Sequence, residues 1–123
     1  MYKQFYQVPI WQDGAKLLEK AYKITRNFPL EEKYTLTSQL RRSANSVIAN
    51  IAESHGRFFY KDKIRVLYIS RGEIEETRSH LYVAFNLGYI TQEIHLKMDN
   101  SYNLLCKDIN SYIADLNSKN VKA

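Results

Sequence analysis

The stretch Thr37–Glu53, TSQLRRSANSVIANIAE, decides how this chain folds, because its apolar residues return to one angular position. At about 100° per residue, Leu40, Ala44, Val47 and Ile51, with Leu36 just ahead, fall within about 80° of arc. Ile48 sits at the margin of that stripe. This is the core face of an amphipathic helix. The opposite side carries Arg42, Ser46, Ala49 and Glu53, flanked by Ser38, Asn45 and Ala52, with Arg41 nearer the stripe. A helix face that meets only water is usually filled with long charged side chains, whereas small ones let another helix approach. A second packing partner is therefore expected on Ser38, Asn45, Ser46, Ala49, Asn50 and Glu53. Each asparagine reads equally well as a solvated position or as an amide bonded across helices.

The same period recurs on both sides of this stretch. A first helix is expected from about 10 to 27, with Trp11, Ala15, Leu18 and Tyr22 as one row and Leu17, Ala21, Ile24 and Phe28 as a parallel one. Pro29 ends it, since its ring and missing N–H cannot continue a helix. The second helix spans about 33 to 54, Glu31 and Glu32 suiting the positive end of its dipole. The third runs from about 59 to 87 on Leu67, Ile74, Leu81 and Phe85, with Gly88 placed for a left-handed cap. The fourth runs from about 91 to 118, with Thr91 as N-cap and Ile94, Met98, Tyr102, Leu105, Ile109, Tyr112 and Leu116 in register. Strand alternation is absent. Four amphipathic helices with short connections predict an all-α fold, an antiparallel up-down-up-down four-helix bundle, in one domain over 1–123.

With 123 residues, 45% hydrophobic and 25% charged, the chain has the composition of a soluble globular domain. No apolar run approaches the roughly 20 residues a membrane span requires. One cysteine and an N-terminus without a signal pattern predict a cytoplasmic protein. The net charge of +5 is concentrated: Arg41, Arg42, Arg57, Lys61, Lys63, Arg65 and Arg71 face only Glu53 and Asp62 between residues 41 and 71. A clustered basic excess is the footprint of phosphate-backbone binding, or of an acidic protein or membrane surface.

Within that region GRFFYKDKIR interleaves Arg57, Lys61, Lys63 and Arg65 with Phe58, Phe59 and Tyr60. Such a mixture suits phosphate contact with base stacking; alternatively the rings staple the bundle's end while the lysines are solvated. Arg71 and Arg78 flank Glu75 at helical spacing and read as a local ion-pair cluster. Gly72, inside the third helix, costs roughly 1 kcal/mol relative to alanine and reads either as a close backbone approach at a subunit interface or, equally well, as a tolerated, solvent-facing glycine. Catalytic chemistry is not indicated. His55, His80 and His95 have no metal-ligand spacing, Glu76 and His80 make only one helical pair, no Glu-x-x-His occurs, and Cys106 has no histidine nearby in sequence. No cofactor is expected.

TSQLRRSANSVIANIAES, together with VPIWQDGAKL, NFPLEEKYTLTSQLRRSA, IAESHGR, SRGEIEE and LGYI, resembles the four-helix bundle proteins encoded within intervening sequences of bacterial 23S ribosomal RNA genes. It is similar also to the accessory variability determinant of diversity-generating retroelements. The resemblance implies a small bacterial protein, and the latter relative implies a barrel-like homopentamer that binds nucleic acid and a reverse transcriptase. Two positions depart from the pattern. Ser54 stands where NIAEG is usual, and Glu73 stands where a serine follows the helix-three glycine. The expected function is non-enzymatic, oligomeric RNA or DNA binding through Arg41, Arg42, Arg57, Lys61, Lys63 and Arg65. The competing expectation is a protein-interaction scaffold that docks an acidic partner such as a reverse transcriptase, without touching nucleic acid.

Overall fold

Proline at position 9 starts the first helix, α1 (Pro9–Thr25), because at the first helical position neither its fixed φ nor its missing N–H is a cost. The structure, a computed structural model, describes residues 2–122. A short 3₁₀ turn over Phe5–Gln7 precedes α1. At its far end the Thr25 hydroxyl donates back to the Ala21 carbonyl at 2.7 Å. A second 3₁₀ turn, Leu30–Glu32, leads into α2 (Leu36–Gly56), which begins three residues later than 33. Glu32 pins this junction, accepting from Thr35 Oγ1 at 2.5 Å, from the Tyr89 hydroxyl at 2.9 Å and from the Leu36 N–H at 3.4 Å. Those bonds, Thr35 foremost, hold its carboxyl below the usual range.

The third and fourth helices are α3 (Tyr60–Asn86) and α4 (Gln92–Lys122). Gly88 adopts φ +79°, and the Tyr89 N–H reaches the Ala84 carbonyl at 2.9 Å while the Gly88 N–H reaches Phe85 at 3.0 Å. This is the paired Schellman closure that the glycine's left-handed conformation permits. Thr91 Oγ1 accepts from the Ile94 N–H at 3.2 Å, capping α4.

Each helix packs on its sequence neighbours, α1 closes against α4, and among the described residues the backbones of the diagonal pairs make no close approach. The result is the antiparallel up-down-up-down four-helix bundle. Of the two rows proposed for α1, Leu17, Ala21 and Phe28 enter the core, whereas Trp11 and Leu18 pack at its edge and Tyr22 is exposed. Leu40, Ala44, Val47 and Ile51 of α2 meet Leu67, Ile74 and Leu81 of α3 and Met98, Tyr102, Leu105 and Ile109 of α4. Ile94, expected in register with these, is exposed. Among the described residues no helix is long and apolar enough to cross a membrane.

The α2–α3 contact is built on buried hydroxyls. Ser70 Oγ donates to the Val47 carbonyl at 2.7 Å, and Thr77 Oγ1 lies 2.8 Å from Ser43 Oγ, itself 3.2 Å from the Leu40 carbonyl. Small residues thus bring two helices together inside one chain, on a face the outward-facing reading did not include. Close approach at glycine is likewise elsewhere than expected: a Cβ on Gly14 would stand 2.5 Å from Ile48 Cγ2, whereas one on Gly72 would have nothing within 4 Å.

Arg78 spans α3 and α4, pairing Nε with Asp99 Oδ1 at 2.8 Å and Nη1 with Glu75 at 2.8 Å. Arg71 does not join this cluster. It lies over the Tyr68 ring, 5.3 Å from the centroid, because helical side chains lean toward the N-terminus and Glu75 is on the C-terminal side.

Candidate nucleic-acid interface

The six basic residues singled out by sequence divide between two places. Arg41 and Arg57 are sixteen positions apart on or just beyond one helix, which at 1.5 Å per residue is about 24 Å.

At the α2–α3 corner, Arg57 turns the backbone to an extended conformation (φ −76°, ψ 145°) and ends α2. Its Nη2 bonds Glu53 Oε1 at 2.5 Å. Ser54, where the resemblance would place glycine, is buried and donates to the Lys63 carbonyl at 2.8 Å. Lys63 answers by donating Nζ to the carbonyls of His55 at 2.8 Å and Ser54 at 3.4 Å, and burial pushes its ammonium pKa down. Lys63 is therefore a cap for the C-terminal carbonyls of α2. Phe58 and Phe59 do not staple the bundle's end: they are 86% and 65% exposed, packed edge to face at 5.0 Å. Lys61 and Arg65 are exposed and have no ion-pair or hydrogen-bond partner among the described residues. Together with Tyr60, Asp62 and Asn120 of α4, the rings and Lys61 line an open depression of about 790 Å³.

At the other end of α2, Arg41 and Arg42 line a groove of about 430 Å³ between α1 and α2. Arg41 Nε donates to Thr25 Oγ1 at 2.8 Å and its guanidinium lies 4.4 Å over the Tyr22 ring. Arg42 crosses to α3, where it pairs with Glu73 at 3.4 Å and with Glu76. Glu73, the second departure from the family pattern, is thus half of an α2–α3 ion pair. Ser38 and Asn45, assigned by sequence to a subunit interface, line the same groove, as do Lys33 and Tyr34. Sequence reading missed Tyr22, Lys33 and Tyr34, although the Lys-Tyr pair just after Pro29 carries the same cation-beside-ring signal as GRFFYKDKIR.

Of the remaining interface residues, Ala49, Glu53 and Gly72 are exposed and Ser46 is half-buried, its carbonyl accepting Asn50 Nδ2 at 2.8 Å. The histidines serve packing and local bonding. His55 Nε2 contacts the Lys3 carbonyl at 3.2 Å, His80 Nε2 contacts Glu76 at 3.1 Å, and His95 is buried in a stack on Phe85 at 5.3 Å. Among the described residues no group of three or more His, Cys, Asp or Glu is placed to hold a metal ion.

Comparison with known proteins gives a consistent answer. Residues 6–111 match the family described as 23S rRNA-intervening sequence protein. Among solved structures, the chain is similar to a protein with unknown function from the S23 ribosomal protein family of Bacteroides thetaiotaomicron. That match has 25% sequence identity and a TM-score of 0.78, and covers 85% of this chain and 97% of the other. Among curated proteins, none matches. A family match across most of the chain, joined to a shared four-helix architecture, places this protein in the family of 23S rRNA-intervening sequence proteins.

Proposed function

We propose that this protein is a non-enzymatic nucleic-acid-binding module, with RNA as its ligand, and that the α2–α3 corner is the primary contact. One observation supports this above others: Phe58 and Phe59 stand in solvent beside Lys61 and Arg65, two cations with no partner among the described residues. Exposed aromatic rings are ordinarily a cost, and next to open cations they form a surface on which bases stack while phosphates are neutralised. Arg57 and Lys63, already bonded within the chain, hold the corner in shape rather than supply its free charge. Self-association would repeat this modest patch and raise avidity without new contacts. Exposed Ala49 and Gly72, outside both the corner and the groove at the start of α2, are the surface available for it.

The test is RNA binding by fluorescence anisotropy at low salt, with oligomer mass followed in parallel. Lys61→Glu with Arg65→Glu is expected to weaken binding at least tenfold, and Phe58→Ala with Phe59→Ala about fivefold or more, since stacking contributes about 1–3 kcal/mol per base. The oligomer should persist in both. Unchanged affinity in both variants sinks the proposal. Collapse of the assembly instead assigns the corner to protein contact, the scaffold reading.

A further inference from the structure

The groove at the start of α2 has features that family membership does not account for. Among its lining residues there is no acid, while three are cations: Lys33, Arg41 and Arg42. Arg42 is neutralised by Glu73 and Glu76 on α3. Arg41 is different. Its Nε is tied to Thr25 Oγ1 at 2.8 Å, the Thr25 proton is in turn used on the Ala21 carbonyl at 2.7 Å, and one face of its guanidinium rests on Tyr22 at 4.4 Å. Its two terminal nitrogens, Nη1 and Nη2, have no partner among the described residues. The guanidinium is thus held in place on one edge while its other donors stay open. A fixed planar donor pair matches a phosphate or carboxylate far better than a mobile ammonium does.

Beside it Tyr34 is 82% exposed, with Lys33 5.3 Å from its ring centroid. A large ring turned to solvent at the mouth of an anion-binding groove provides a flat surface for a second, aromatic part of the same ligand. A carboxylate ligand would leave that ring without a role, whereas a nucleotide uses both. The groove volume of about 430 Å³ lies within the range of small-molecule sites, about 300–1,000 Å³. A duplex keeps its bases stacked inside, so only an unpaired base can lie on Tyr34.

We infer that this groove binds a single unpaired nucleotide, with the phosphate on Arg41 and Lys33 and the base stacked on Tyr34. It deepens the nucleic-acid reading by adding a second contact about 24 Å along α2 from the corner, and it specifies the ligand as single-stranded at that point.

Uridine 5′-monophosphate is the probe, titrated at low salt while amide resonances are followed by NMR, with inorganic phosphate and uridine as controls. The monophosphate should shift the amides of residues 33–45, whatever its effect on those of 58–65. Tyr34→Ala should weaken it about fivefold or more without changing phosphate binding. Arg41→Lys, which keeps the charge and loses the planar fork, should weaken both ligands. Lys33→Gln, on an exposed side chain, tests the charge without risk to the fold. A U-rich single strand should shift the same amides, and a blunt duplex of the same length should not.

The inference is overturned if the monophosphate leaves 33–45 unmoved, if Tyr34→Ala binds it as the unsubstituted protein does, or if the duplex shifts the groove equally. Free-nucleotide binding without any response to the single strand also overturns it. The corner is judged separately: Lys61→Glu with Arg65→Glu should leave the monophosphate's shift of the 33–45 amides intact, so either site can fail alone.

Discussion

Replacing Gly14 by alanine brings a methyl to 2.5 Å from Ile48 Cγ2, on a buried, β-branched side chain. Overpacking of this kind costs about 1–3 kcal/mol, more than the helix propensity of alanine returns. Gly72→Ala meets nothing within 4 Å in the chain, so it should stabilise the monomer by about 0.5–1 kcal/mol. Chemical denaturation of the two variants checks the opposite signs. Weakened self-association in Gly72→Ala, read by sedimentation, would place that glycine between subunits. His80 supplies a pH prediction. Burial first, and then Arg42, hold its ring below the ordinary value of 6.5, while the adjacent Glu76 carboxylate is already engaged by Arg42. The unfolded chain takes up a proton near pH 6.5 that the folded ring refuses, so stability is greatest above that pH and declines as pH falls toward the folded value. His80→Gln should flatten the decline between about pH 7 and 5, measured as the urea midpoint against pH.

The contact between α2 and α3 depends on side chains small enough to let the backbones come close and polar enough to bond while buried. Ser70, with no exposed surface, donates to the Val47 carbonyl. Ser70→Ala should cost about 1 kcal/mol for the lost bond. Ser70→Val should cost more, about 2–3 kcal/mol, because it also drives the helices apart. Thermal melts of the pair distinguish bonding from spacing. Much of this level was legible beforehand: the 3.6-residue period of Leu40, Ala44, Val47 and Ile51 located the core face, and Gly88 and Thr91 marked the turn between α3 and α4. The hydroxyl seam was not legible, since Ser43, Ser70 and Thr77 look like solvated positions until the facing helix is in place. The α1 rows were ambiguous for a related reason. Both have helical period, and only the positions of α2 and α4 decide that Leu17 and Ala21 are buried and Tyr22 is not.

At the scale of the molecule, the basic excess that reads as one cluster along the chain becomes two separated sites, with Arg42, Arg57 and Lys63 occupied by their own neighbours. Linear proximity conveys charge density; it does not convey which cations remain open, because Arg42 is taken up by carboxylates of α3 and Lys63 by the last carbonyls of α2, partners that only the packed fold supplies. The sites left are Lys61 with Arg65, and Arg41 with Lys33. With four open cations at these two sites, RNA affinity should fall less steeply with salt than the six-residue patch implies. A logarithmic slope near −3 is expected, following about −0.7 per phosphate contact on a single strand. Titrations between about 50 and 200 mM salt measure it, and a slope near −1 would show that only one site is engaged. Tyr102, in the middle of α4, is 1% exposed, and its hydroxyl has no hydrogen-bond partner among the described residues. Burial raises its pKa. Of the ten tyrosines, it should be the last to become tyrosinate in alkali, and its ultraviolet band should appear only when the bundle opens, making one phenol an intrinsic chromophore for collapse of the whole core.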